Sequence, residues 1–81
     1  METKNSNNKL LEVGSRIREM REICGFTVSD MASLTDTTVE EYGKYENGLA
    51  DFPFTFIHKC ALAFGIEITD ILEGHSAKLS A

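Results

Sequence analysis

The 81-residue chain carries two histidines, two cysteines and thirteen carboxylates, the side chains from which metal sites and nucleophilic or acid–base centres are assembled. Their spacing assembles none of these. His58 and His75 share no ligand cluster, and Cys24 and Cys60 lie far apart, with neither a CxxC pair nor the Cys/His spacing of a zinc site. Serine, cysteine and histidine occur without a motif that would set a nucleophile beside a base, and a domain this small leaves little room for a cleft. The sequence therefore predicts no enzyme, no metal and no other cofactor, and its cysteines read as reduced thiols of a cytosolic protein. One stretch has a spacing that implies a task beyond packing. Phe26 to Gly48, FTVSDMASLTDTTVEEYGKYENG, holds two short helical patterns separated by a few polar residues and closes on Glu46-Asn47-Gly48.

Charge is distributed unevenly around that stretch. The formal net charge is -5, whereas a small nucleic-acid-binding domain usually gains affinity from a basic balance that releases counterions. Residues 1–25 carry five basic and four acidic side chains, and residues 53–81 carry two and three. Between them, residues 26–52 set Lys44 alone against Asp30, Asp36, Glu40, Glu41, Glu46 and Asp51. No apolar run approaches the roughly 18 residues of a membrane span, and the N-terminus lacks the apolar core of a signal peptide.

The elements that must position this segment follow from the apolar spacing. Residues 1–9 are polar and aperiodic and predict a disordered lead-in. Leu10, Val13, Ile17, Met20 and Cys24 recur at three- and four-residue intervals, the inward stripe of a first helix from about Leu10 to Ile23 that Gly25 ends in a left-handed cap. Thr27-x-x-Asp30 approximates a capping box and starts a second helix from Val28 to about Leu34, with Met31 and Ala32 inward. After the turn Thr35-Asp36-Thr37, Thr38-x-x-Glu41 repeats the pattern and starts a third helix with Tyr42 and Tyr45 inward. Gly43 sits inside that helix at a cost of about 1 kcal/mol relative to alanine, which points to close approach or to compensation by packing. Pro53 suits the first turn of a fourth helix with Phe54, Ile57, Ala61 and Phe64 on its apolar face, Cys60 beside it, and Gly65 at its end. Of the alternating aromatics Phe52, Phe54 and Phe56, the expectation puts Phe54 in the core and the other two partly exposed, as a subunit contact or as simple partial burial. A last helix from about Thr69 to Leu72 ends at Gly74, and residues 75–81 read as a linker or tail.

Five short helices, the second and third joined by a tight turn, describe an all-α fold with a helix-turn-helix over residues 10–74. From Val13 to Leu72 the chain resembles the Cro and lambda-repressor type of helix-turn-helix domain, also called the xenobiotic-response-element family. The anchors are Ile17-Arg18-x-Met20-Arg21, Gly25-Phe26-Thr27, Met31-Ala32, Thr38, Tyr42-x-x-Tyr45-Glu46-Asn47-Gly48, Ala61-x-x-Phe64-Gly65-Ile66 and Ile68-x-x-Ile71-Leu72.

That resemblance implies a DNA-binding transcriptional regulator that works as a homodimer in the cytoplasm, with its third helix in the major groove of double-stranded DNA. Half-sites would then lie about 34 Å apart. Carried over by position, it implies Val39, Glu40, Gly43 and Lys44 facing bases, Thr38 capping and touching phosphate, Asn47 meeting phosphate, and Arg16 or Arg18 helping from the first helix. It also implies a structural ion pair between Arg21 and Glu46. Members that look like this chain at Gly65 to Leu72 continue into a sensory β-barrel of the cupin type, so the chain is expected to be the N-terminal part of a longer regulator.

Departures from the family pattern are Val28 where a phosphate-reaching glutamine is usual, Asp36 for the turn glycine, Thr37 for an apolar turn residue, and Pro53 one place late. With one basic residue between Phe26 and Phe52, the phosphate contribution to affinity is expected to be weak. The alternative reading is a helix-turn-helix fold retained for protein contact.

Overall fold

The structure, a computed structural model, describes residues 2–74, with side chains from Lys9 onward. Its elements are α1 (Glu2–Cys24), α2 (Val28–Thr35), α3 (Val39–Glu46), α4 (Phe54–Phe64) and α5 (Ile68–Glu73). The described residues form no strand. The long α1 packs across α3, α4 and α5, while α2 fills the angle between α3 and α4.

The core is assembled from one stripe of each helix. Val13 and Ile17 come from α1, Met31 and Ala32 from α2, and Tyr42 from α3. Phe56, Ile57, Cys60, Ala61 and Phe64 come from α4, and Ile71 from α5. Burial of each large apolar member contributes about 1.5–3 kcal/mol, so a domain of this size depends on nearly all of them. Four aromatic rings extend the core toward the loop after α3. Phe56 lies 4.3 Å from Tyr45, 5.9 Å from Tyr42 and 5.9 Å from Phe52 between centroids, which ties α3 and the following loop to α4.

Three expectations are revised. The first helix begins at Glu2 rather than near Leu10, so the segment expected to be disordered continues the helix, since extending a nucleated helix adds a hydrogen bond for each residue fixed. Cys24 is exposed rather than inward, as are its neighbours Glu22 and Ile23 at the end of α1. The third revision concerns the aromatic run. Phe56 is 2% exposed and Phe54 is 68% exposed, the reverse of the expected phase. Cys60 is fully buried within the arc of α4 rather than beside it, which extends the arc toward Phe56 and leaves Phe54 past its opposite edge in the first turn. The tail at 75–81, His75 included, lies outside the described residues.

Candidate nucleic-acid interface

The two helices of the motif are each started by a reciprocal cap. Thr27 Oγ1 accepts from the Asp30 amide at 3.0 Å while Asp30 Oδ2 accepts from the Thr27 amide at 2.9 Å. Thr38 and Glu41 repeat the exchange at 3.0 and 3.1 Å. Each box satisfies two amides that the first turn would otherwise leave without a partner. At the start of α5 half of this exchange recurs, Asp70 Oδ2 accepting from the Glu67 amide at 3.0 Å, while the Asp70 amide donates to the Glu67 carbonyl at 3.0 Å.

Between the first two boxes the chain reverses through Asp36, the one described non-glycine residue with a positive φ, 62°. Aspartate enters this left-handed region more readily than most side chains, since its short polar group hydrogen-bonds locally. The turn is closed by the Thr37 amide donating to the Ala32 carbonyl at 2.9 Å. Thr35 is buried, its hydroxyl donating to the Met31 carbonyl at 2.7 Å and lying 3.1 Å from Thr37 Oγ1. Threonine at 37 thus supplies a hydrogen bond where an apolar residue would supply packing.

The far end of α3 is held against α1. Glu46 is 6% exposed and its carboxylate accepts from Arg21 Nε at 2.6 Å, from the Tyr42 hydroxyl at 2.5 Å and from Arg18 Nε at 3.4 Å. Arg21 also donates to the Phe26 carbonyl at 3.1 Å, so it joins the α1–α2 corner to α3. The hydrogen bond to Glu46 holds the Arg21 guanidinium above its ordinary pKa. Burial, and then the hydrogen bond to Glu46, push the Tyr42 phenol well above its usual range. Burial, reinforced by the Glu46 charge, pushes the Cys60 thiol up to about 12, so this cysteine is an inert core residue.

Gly14 completes the junction. A Cβ at that position would collide with the Glu46 carbonyl oxygen and lie 2.8 Å from the carbonyl oxygen of Tyr45. Only a glycine lets α1 lie this close to the end of α3. Gly14 had no place in the sequence reading, although a glycine between Val13 and Ile17 on a helix was the available signal. Gly43 shows the opposite. A Cβ there meets nothing within 4 Å, so close approach within the protein does not explain it.

With Tyr42, Tyr45 and Glu46 turned inward, α3 presents Val39, Glu40, Gly43, Lys44 and Asn47 on one outward face, the spacing that places residues in a single stripe. Val39 is 53% exposed, Glu40, Lys44 and Asn47 are exposed, and Thr38 is exposed at the head of the stripe with its hydroxyl engaged in the cap. Arg18 reaches the same end of α3, donating from Nη2 to Asn47 Oδ1 at 2.9 Å. Arg16 is not brought to this face. It points to α5, donating from Nη1 to the Ile71 and Leu72 carbonyls at 3.0 and 2.9 Å, and Lys9 Nζ joins it on Leu72 at 2.9 Å. Both cations therefore stand at the negative end of the α5 dipole.

The acidity of the motif is largely absorbed by this architecture. Asp30 and Glu41 serve in caps, Glu46 is buried among its donors, and Asp36 faces Lys59 at 3.7 Å. Glu40 and Asp51 are left as the carboxylates of the segment without a hydrogen bond or ion pair among the described residues. No group of three or more metal-binding side chains occurs among the described residues. None of the described helices is long and apolar enough to cross a membrane.

Two solved structures share this arrangement. The restriction-modification controller protein C.AhdI from Aeromonas hydrophila is 29% identical, over 76% of this chain and 94% of that one, with a TM-score of 0.73. The clp gene regulator ClgR from Corynebacterium glutamicum has a TM-score of 0.78 over 89% of this chain and 77% of that one; at 17% identity that likeness is one of fold. Among curated proteins, none matches the chain. Residues 14–76 match the helix-turn-helix domain family, and the chain belongs to that family.

Proposed function

We propose that the protein is a transcriptional regulator module that lays α3 in the major groove of double-stranded DNA. The observation that carries this reading is the outward stripe of α3. The side chains of Val39, Glu40 and Lys44 make no hydrogen bond or ion pair among the described residues and Gly43 has none, while both ends of the helix are fixed by the Thr38 cap and the Glu46 junction. Val39 suits a thymine methyl, Lys44 a guanine edge or a phosphate, and Glu40 a cytosine amine. Gly43 keeps the middle of the stripe low enough for backbone to approach a base edge. Thr38 and Asn47 face the phosphates flanking that groove, with Arg18 beside Asn47.

A DNA-binding reading takes the protein to the cytoplasm and to a second copy of itself as its partner, because a single domain of this acidity has few phosphate contacts of its own. Exposed Phe54 and Leu62 on α4, and Leu34 on α2, support a subunit contact. A sensory domain after residue 81 is a further proposal that rests on the resemblance alone.

Fluorescence anisotropy with a labelled duplex, selected by the protein from a randomised pool, tests the reading at low and moderate salt. Saturable binding that weakens as salt rises is the expected result. Its absence at low salt would leave the second reading, a helix-turn-helix kept for protein contact, which Glu40 on the outward face favours.

A further inference from the structure

We propose that Arg18 is a positioning residue that turns the side-chain amide of Asn47 so that its NH2 group faces outward to a DNA phosphate, a role that rests on the DNA-binding reading above. A guanidinium has donors and no acceptor, so the atom of Asn47 that meets Arg18 Nη2 at 2.9 Å has to be the carbonyl oxygen Oδ1. With Oδ1 engaged, Nδ2 is directed to the other side, and no acceptor among the described residues meets it. A free asparagine on an exposed surface presents oxygen and nitrogen equally, and an oxygen turned toward a phosphate repels it. Arg18 removes that ambiguity.

The guanidinium is itself held in place. Its Nε lies 3.4 Å from Glu46 Oε1, and Glu46 is anchored by Arg21 at 2.6 Å and Tyr42 at 2.5 Å. The planar fork of Arg18 therefore spans two adjacent residues at the end of α3, one buried acid and one exposed amide. A lysine ammonium is a compact point charge on a flexible stem and cannot span both. Asn47 also caps the C-terminus of α3, its amide donating to the Gly43 carbonyl at 3.1 Å, so its backbone is fixed independently of the side chain.

Arg18 can serve DNA in another way, by meeting a phosphate directly, and the two roles part experimentally. Binding of the selected duplex is measured by anisotropy across a salt series for wild type, Arg18→Lys, Asn47→Ala and the double variant, with thermal melts establishing that all four are folded. If Arg18 positions Asn47, Arg18→Lys and Asn47→Ala each weaken binding by a similar factor, on the order of tenfold. The double variant is then no weaker than Asn47→Ala, and the salt slope stays at the wild-type value throughout. Wild-type affinity in Arg18→Lys overturns the role, since the charge alone would then suffice. Losses that multiply in the double variant overturn it as well. Wild-type protein that binds no duplex fails the DNA reading and this role together, whereas wild-type binding with independent losses fails the role alone.

Discussion

Arg21 Nε lies 2.6 Å from Glu46 Oε2 across the junction of α1 and α3, with the carboxylate 6% exposed and shared with the Tyr42 hydroxyl. Removing one partner of a buried pair leaves the other charge uncompensated. Glu46→Ala is accordingly expected to lower stability by about 3 kcal/mol in urea denaturation, stranding both Arg21 and the Tyr42 hydroxyl. A loss under about 1 kcal/mol, the range of exposed pairs, would mean that the junction is wetter and looser than its geometry.

Alkaline pH should reach the same region from below. Burial disfavours the thiolate and pushes the Cys60 thiol in the fold up to about 12, from 9.0 for an unperturbed thiol. Above pH 9 the unfolded chain releases a proton that the folded chain keeps, so stability is full below that point and falls as pH rises toward 12. The slope approaches about 1.4 kcal/mol per pH unit for this group. Tyr42, also raised by burial, adds to the fall once the unfolded phenol begins to ionise. Urea unfolding at a series of alkaline pH values should show a shallower decline for Cys60→Ala than for wild type; parallel curves would assign the decline to other groups.

Two helical glycines, Gly14 in α1 and Gly43 in α3, should respond to alanine in opposite directions. Gly14→Ala forces a methyl into the Glu46 and Tyr45 carbonyls and should cost about 1–3 kcal/mol as overpacking does. Gly43→Ala places its methyl in open space on a helix and should stabilise by up to about 1 kcal/mol. Thermal melts read both. If α3 lies against bases, the more stable Gly43→Ala protein also binds DNA more weakly, a combination that packing alone does not produce.

Charge on the outward face of α3 gives a functional contrast. Lys44→Ala should reduce DNA affinity about tenfold and, if the ammonium meets a phosphate, flatten the dependence of log K on log salt by about 0.9. Glu40→Gln should raise affinity at low salt, with the gain fading as salt screens the face. A fall in affinity for Glu40→Gln confined to particular sequences would instead assign this carboxylate to a cytosine amine.

Much of this architecture was legible from residue spacing. The threonine caps, the glycines at 25, 65 and 74, and the inward Val13, Ile17, Met31, Tyr42 and Ile71 follow from local chemistry and helical period, and they occupy the expected places. What escaped depends on how helices meet. Phe54 and Phe56 exchanged roles because three apolar neighbours in one turn leave the phase of α4 undetermined until Tyr42 and Tyr45 arrive from α3. Gly14 escaped because its reason lies 32 positions along the chain, in carbonyls that only the folded protein brings near. Arg16 and Arg18 look alike as cations two residues apart on one helix. That separation sends them to opposite sides, one to α5 and the other to α3.

The division of labour along α3 has an evolutionary reading. The side chains that seat the helix in the core, Tyr42, Tyr45 and Glu46, lie off the outward stripe, and the two caps, Thr38 and Asn47, stand at its ends. Val39, Glu40, Gly43 and Lys44 form a cassette that mutation can rewrite wholesale while the scaffold beneath stays put. If α3 reads DNA as proposed, descendants of this sequence can change their target with little penalty in foldability, and grafting another regulator's four residues onto these positions is the engineering counterpart of the same freedom.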